Sequence, residues 1–416
     1  MRAEHPRVAP YSRRIDWMSD LTTPNQPSIV RDRVNSIDVI RAQRDSFDEL
    51  YISAAPACVS GDSACMETEQ LYGKVADLLS ESGATVVQER PFGALTAKPI
   101  IDSARAVAIE GCSAFSGVAP TFLEGIPCTG NGLSGVHMLA IVPHADTKLT
   151  EISLGDDAVG HLIETPDIRA IYLGAMAGTA ADAALPETDQ TTRMFQKTNA
   201  ILEEHGFVYR DVVRTWIYVG EILDWYDEFN LARNAEYRKY GLLGAGDDFM
   251  PASTGIQARS PGEIALTMDV LAVQATPGGE EPTIGVLHNP LQNEAHAYGS
   301  AFARAMEVVT GGMRAVYISG TASIDETGAT VYLDDIDKQI ARTVENIEAL
   351  IGTRGLTLDD LTQACVFIKH AEHIDRYLEI CKGTMLTEIG VPMKADVCRA
   401  DLLFEIDGVA AKAVDA

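Results

Sequence analysis

The sequence predicts an α/β (α+β) protein built from three related units, each a mixed β-sheet with covering helices. Three observations carry this reading. A chain of 416 residues, at about 100 to 200 residues per domain, has room for two to four domains. Its 46% hydrophobic content and a mean hydropathy near zero are those of a soluble globular protein. Three stretches also repeat one order of elements, and landmarks in them keep their spacing. Tyr51 to Tyr172 is 121 positions and Pro127 to Pro251 is 124; Tyr172 to Tyr317 is 145 and Asp211 to Asp360 is 149.

Each unit opens with a β-type strand, Leu50–Ser53, Ile171–Gly174 or Val316–Ser319, rich in β-branched and aromatic residues. A helix follows. Its apolar stripe is Leu71, Val75, Leu78 and Leu79 in the first copy, Phe195, Thr198, Ile201 and Leu202 in the second, and Ile340, Val344, Ile347 and Ile351 in the third. Gly83, Gly206 and Gly355 stand where C-terminal caps belong. A second strand comes next, at Thr85–Val87, Val212–Val219 or Leu361–Ile368. A second helix is expected around Trp225–Tyr240 and Ile374–Thr387, while the first copy is expected to have lost most of it. Each unit closes with a proline (Pro127, Pro251, Pro392) and final strands ending near Val142, Val273 and Ala410. The expected organisation is an irregular arm at 1–35, a first, degenerate unit at 36–146, a second at 147–276 and a third at 283–416. Pro277-Gly278-Gly279-Glu280-Glu281-Pro282 punctuates the last boundary.

Sixty acidic against 33 basic side chains give a formal charge of -27, which argues against nucleic acid or an anionic membrane as partner. No apolar run is long enough to span a bilayer, and Met1–Asp20 has no apolar signal region, so the expected location is cytoplasmic. Seven cysteines with no CxxC pair suit reduced thiols rather than disulfides or zinc. The histidines lack the spacing of an HExxH site, and Thr129–Gly135 lacks the Lys and the helix of a phosphate loop. No metal and no organic cofactor is expected.

Tyr298-Gly299-Ser300-Ala301, Tyr317–Gly320, Gln339 with Asn346, and Phe404-Glu405-Ile406 together resemble the RidA/YjgF family. That family forms trimers with ligand sites between subunits. Three copies in one chain then imply a covalent pseudo-trimer. A more specific resemblance, over about residues 205 to 412, is to the chorismatases, which have a RidA-like fold and release pyruvate from chorismate. It rests on Arg214–Val219, Met250–Ile256, Phe302–Ala305, Tyr317–Ala322 and Ala395–Ile406. Chorismatases generally carry a Pro-Arg-Ser-Pro insertion between the segments that match Tyr298-Gly299 and Phe302-Ala303-Arg304. This chain has none there, and so lacks that Arg.

Glu405 lies in the run Leu402–Ile406. Strand alternation puts it on one face with Leu403 and Asp407. A carboxyl group in so apolar a strand is desolvated, which raises its pKa toward the range of a general acid. Aligning the copies on Ala410, Ala272 and Ala140 sets Glu405 against Thr267 and Gly135, so one copy of three carries the acid. Cys398 lies seven residues earlier, with Ala400-Asp401 able to turn between two adjacent strands. The chorismatase resemblance implies catalytic roles for Glu405 and Cys398. Cys398 with Gly320 matches the members that form 3-hydroxybenzoate; the hydrolytic members have Ala at both places. The substrate-binding candidates are Gly320, Tyr298, Arg304, Arg214, Arg233, Tyr237 and Thr254, with Arg suited to carboxylates. The implied partner is a small-molecule carboxylate, and the chain is a monomer or a homo-oligomer. Two other readings stay open: a RidA-like enamine/imine deaminase, for which Lys394 stands where that family has Arg, and a non-catalytic small-molecule-binding protein.

Overall fold

The computed structural model describes residues 26–34, 37–56, 63–130, 132–244 and 249–414, with 63, 64, 297 and 298 described by backbone alone. The first sheet comprises β1 (Ser28–Val34), β2 (Ile37–Gln43), β3 (Phe47–Ala54), β4 (Thr85–Gly93), β5 (Leu123–Glu124) and β6 (Leu133–Pro143), with helices α1 (Ser63–Ser82) and α2 (Lys98–Ala108). The second comprises β7 (Lys148–Leu154), β8 (Asp157–Glu164), β9 (Ile168–Ala177), β10 (Val212–Val219), β11 (Ala252–Gln257) and β12 (Leu266–Ala275), with α3 (Glu187–Glu204) and α4 (Ile222–Lys239). In the third are β13 (Thr283–Leu287), β14 (Ala305–Thr310), β15 (Met313–Ala322), β16 (Leu361–Ile368), β17 (Gly390–Lys394) and β18 (Phe404–Ala413), with α5 (Ile336–Gly352), α6 (Ile374–Ile380) and α7 (Met385–Ile389).

All three sheets share one topology. Their orders are β1-β2-β3-β6-β4-β5, β7-β8-β9-β12-β10-β11 and β13-β14-β15-β18-β16-β17. The fourth and fifth strands of each unit run parallel, and the other pairs are antiparallel. Left-handed glycines at Gly83, Gly206 and Gly355 follow α1, α3 and α5, where the sequence places caps. Asp335 caps α5 by accepting a hydrogen bond from the Lys338 amide.

Two expectations are corrected. The arm does not extend to residue 35, because Ser28–Val34 pairs along its length with β2; residues 1–25 lie outside the described ones. The first copy also keeps its second helix, α2. Only Ile101 and Ala104 of α2 are buried, so its apolar stripe is too thin to stand out in the sequence. The first strand of each unit is a part-buried to exposed edge strand with few fully buried residues, so it carries no apolar run like those of the inner strands. Among the described residues no helix is long and apolar enough to cross a membrane.

Helices cover one face of each sheet, and the other two units cover the opposite face. All eight residues of β10 and of β16 are therefore buried, polar ones included. Ile217 and Val219 pack on the helix side. Trp216 and Tyr218 face the core that joins the units. The same bulge interrupts each sheet, between Val86 and Gln88, Val212 and Arg214, and Leu361 and Gln363. Gln88, Arg214 and Gln363 are thus equivalent, and so are Gly135, Thr267 and Glu405. His137, Asp269 and Asp407 form a third such set.

These positions close a ring. Gln88 donates to Asp269 at 3.1 Å, Arg214 approaches Asp407 at 3.3 Å, and Gln363 donates to the Met138 carbonyl at 3.3 Å. Each unit reaches the next in turn, as a covalent pseudo-trimer requires. Arg90 bonds Gln363 at 2.7 Å and approaches Tyr218, and Arg90 and Arg214 both stack on the Trp216 ring. In another layer Tyr51, Tyr172 and Tyr317, the repeat landmarks, interact with one another and with Glu49. Arg44 of the first unit donates to Glu49 and also to the Thr310 carbonyl of the third. Breaking a buried pair leaves a desolvated charge behind. Arg44→Ala is therefore expected to lower the free energy of unfolding by about 3 to 5 kcal/mol, measured by urea denaturation.

Candidate active site

Glu405 sits near the start of β18, opposite Ala322 on one side and Phe367 on the other. It is 4% exposed. β15 bulges here: Ile318 pairs with Gly408 and Thr321 with Ile406, so Ser319 and Gly320 together face Asp407. A Cβ on Gly320 would stand 2.3 Å from Glu405 Oε1. The carboxyl group occupies the space that a side chain would take.

A cavity of about 420 Å³ opens onto this carboxyl between the second and third units. One wall is α4, through Tyr226, Asn230 and Asn234. The other is the third unit, through Ser300, Arg304, Gly320, Cys398, Arg399 and Glu405. Asp227, Leu231, Gly299, Phe302, Ala322 and Ile324 complete the lining. Asn234 Nδ2 donates to the Gly299 carbonyl at 3.0 Å, tying the walls together.

Burial, aided by the Asp407 charge, pushes Glu405 up to about 8, against the lowering effect of Arg214 and Arg304. Burial and then the Glu405 charge push the Cys398 thiol up to about 12, against lowering by Arg399 and by a hydrogen bond with Tyr226. At neutral pH the site holds a protonated carboxyl group and an un-ionised thiol. The orientation of Arg304 is fixed by bonds to the Asn293 carbonyl, one of them 2.9 Å from Nε. Arg399 donates to the Gly328 carbonyl at 2.9 Å. No group of three or more His, Cys, Asp or Glu among the described residues is arranged to hold a metal ion.

Of the residues singled out in the sequence, Glu405, Cys398, Gly320 and Arg304 line the cavity. Cys398 does so from the loop between β17 and β18 rather than from a neighbouring strand. Arg214 and Thr254 do not line it. They lie behind Glu405, where Arg214 Nη2 donates to Thr254 Oγ1 at 2.6 Å and Thr254 Oγ1 donates to Asp407 Oδ2 at 2.6 Å. Arg233 and Tyr237 are buried on the inner side of α4, with Arg233 over the Phe229 and Phe302 rings and bonded to Asn230. Their helix turns them away from the opening and presents Tyr226 and Asn230 instead. Tyr298 ends a short 3-10 turn, and its side chain lies outside the described residues. Sequence reasoning passed over Tyr226, Asn230 and Arg399. The first two sit four apart on one helix face, a spacing that could have flagged them, and Arg399 adjoins Cys398.

Comparison with known proteins agrees with this geometry. A family profile described as Endoribonuclease L-PSP matches residues 298–412. That match lies within the third unit, whose sheet topology the other two units share. A 3-hydroxybenzoate synthase of Streptomyces hygroscopicus is 29% identical over 252 residues, which are 53% of this chain and 69% of that protein. A chorismatase of Streptomyces rapamycinicus is 30% identical over 229 residues, covering 49% and 65%. A solved structure described as chorismatase superposes with a TM-score of 0.57 at 20% identity, covering 78% of this chain and 93% of that one. The chain is thus similar in sequence to these chorismate-linked proteins, and in fold to a solved chorismatase.

Folding raises the Glu405 pKa from 4.5 to about 8. Between those values the folded state holds a proton that the unfolded chain has lost, so this group's contribution to stability falls as pH rises through the window. Glu405→Gln carries no such proton. The variant is expected to match or exceed wild-type thermal stability at about pH 8 to 9, and to lose that advantage below about pH 5, as followed by calorimetry across pH.

Proposed function

We propose that this protein cleaves the enolpyruvyl ether of chorismate, or of a related cyclic carboxylate, releasing pyruvate and a hydroxybenzoate. One observation carries the reading: a carboxyl group kept protonated by burial faces a cavity that also presents Arg304 and Arg399. An enol ether is cleaved by adding a proton to its methylene carbon. The electron pair of the C=C bond forms the new C–H bond, and the ether oxygen stabilises the resulting oxocarbenium carbon. Glu405 is the donor, and its elevated pKa suits a general acid near neutral pH. Capture of the cation by an oxygen of the substrate, followed by breakage of the ether and aromatisation, gives 3-hydroxybenzoate and pyruvate. Those products together contain every atom of chorismate. Capture by water would give a dihydrodiol instead.

The pairing of Gly320 with Cys398 favours the first route. With no side chain at 320, the Glu405 carboxyl reaches into the site. The un-ionised Cys398 thiol fills the corner beside it, as a weak donor that shapes the cavity. The guanidinium groups of Arg304 and Arg399 suit the carboxylates of the substrate. The deaminase reading loses ground because Lys394 is exposed and does not line the cavity.

Incubation with chorismate, following pyruvate by a coupled assay and the aromatic product by chromatography, tests the proposal. Glu405→Gln is expected to lower kcat by about 10² to 10⁴, and kcat/KM of the wild type to fall as pH rises through about 8. Absence of pyruvate, or full activity in Glu405→Gln, would sink it. Gly320→Ala displaces the acid and should cost about 10² in kcat while lowering the hydroxybenzoate share of the product.

A further inference from the structure

We propose that Asp407 is a positioning residue for the Glu405 acid, and that Arg214 and Thr254 of the second unit hold it in that role. This rests on the reading of Glu405 as the proton donor and adds what sets its proton.

The pseudo-symmetry isolates the feature. At the interface of the first and second units, Asp269 occupies the place of Asp407. It accepts from Thr121 Oγ1 at 2.5 Å, as Asp407 does from Thr254 at 2.6 Å. A hydroxyl group of one unit held to an aspartate of the next is therefore shared by two of the three interfaces, the third having His137 in the aspartate's place. Three differences mark the interface where the cavity opens. Glu405 replaces Thr267, Arg214 replaces Gln88, and Gly320 replaces Ala175 in the matching bulge. An acid and a buried guanidinium group thus occur together at one interface of three, and the aspartate lies between them.

Arg214 is fully buried and does not line the cavity, so it is placed to act through Asp407. Burial pulls its guanidinium down to about 10, opposed by the Asp407 charge. The groups around Glu405 come from several elements. Asp407 lies on its own strand, Arg304 precedes β14, Cys398 comes from the β17–β18 loop, and Arg214 comes from β10. Arg90 on β4 and Cys365 on β16 lie on the far side of Asp407. Asp407 disfavours the Glu405 carboxylate, whereas Arg214 and Arg304 favour it. The Arg214-Thr254 pair fixes the Asp407 carboxyl group in place, and the Arg214 charge offsets part of the effect of Asp407 on Glu405, so the acid keeps its proton near neutrality without being locked in the protonated form.

The test reads the Glu405 proton directly. In protein carrying isotope-labelled glutamate, the carbonyl stretch of the protonated Glu405 carboxyl is assigned by its loss in Glu405→Gln and then titrated by infrared spectroscopy. Asp407→Asn keeps the shape and the acceptor for Thr254 and removes the charge. The Glu405 midpoint is expected to fall by about 1 to 3 pH units, and the alkaline limb of any pH–rate profile with it. Arg214→Gln, which installs the residue of the equivalent positions, is expected to raise the midpoint. An unchanged midpoint in Asp407→Asn, or a lowered one in Arg214→Gln, overturns the proposal. If one variant fails to fold, the other decides. A purely structural Asp407 would lower the unfolding midpoint and leave the titration where it was. The titration needs no turnover, so failure to release pyruvate from chorismate would count against the substrate assignment and not against this role.

Discussion

Closing three sheets round one axis buries the polar residues of each sheet's inward face, and a unit satisfies several of them with groups of the next unit. Gln88, Arg214 and Gln363 all point inward from the strand beside a bulge, and each finds its partner one unit further on. In a medium of low polarity, an unmet donor or charge would cost more than a hydrogen bond returns. The ring therefore holds together as a set. It also explains why β10 and β16 carry Arg214 and Gln363 within otherwise largely apolar strands: these two residues face an interface, not water.

Much of the fold was legible because the repeat leaves marks that survive divergence. The tyrosines used to measure the repeat turned out to meet near the axis, where a change in one is felt by the other two. What stayed hidden had weak local signals. The edge strands β1, β7 and β13 bury almost none of their residues, and α2 buries only Ile101 and Ala104. In the site, Glu405, Cys398, Gly320 and Arg304 were legible because a chorismatase-like motif surrounds them. Arg214 and Arg233 were read as substrate cations on residue type alone. Type does not say which way a guanidinium points, and the bulge at β10 and the turn of α4 decide that. Tyr226 and Asn230 matter through a neighbouring unit, a relation that no local pattern encodes.

The same scaffold also explains why one interface in three carries an acid. At Gly135 an added Cβ would meet Val391 at 2.8 Å, so that position is filled by the neighbouring unit. At Thr267 the hydroxyl group donates to the Met176 carbonyl and is satisfied within its own unit. Only at 405 does the bulge of β15 combine with a glycine to leave room for a carboxyl group. Loss of a site is the easier course for a repeat, since any side chain that fills the gap restores packing. Keeping one requires that Gly320, Glu405 and the buried Arg214-Asp407 pair be kept together.

The charge of -27 bears on the same residue. An anionic substrate approaching so acidic a molecule needs a locally cationic cavity, and the lining carries Arg304 and Arg399 against Asp227 and Glu405. With both carboxyl groups ionised those charges would cancel. Burial removes one of them by holding Glu405 protonated up to about 8, which leaves the cavity with a net positive charge. On the proposed function, desolvation of a single carboxyl group would both supply the proton and remove the repulsion that keeps an anionic substrate out. The two effects have one origin, so they disappear together. On the proposed function, ionisation of Glu405 would remove the acid and also weaken binding, raising KM as kcat falls.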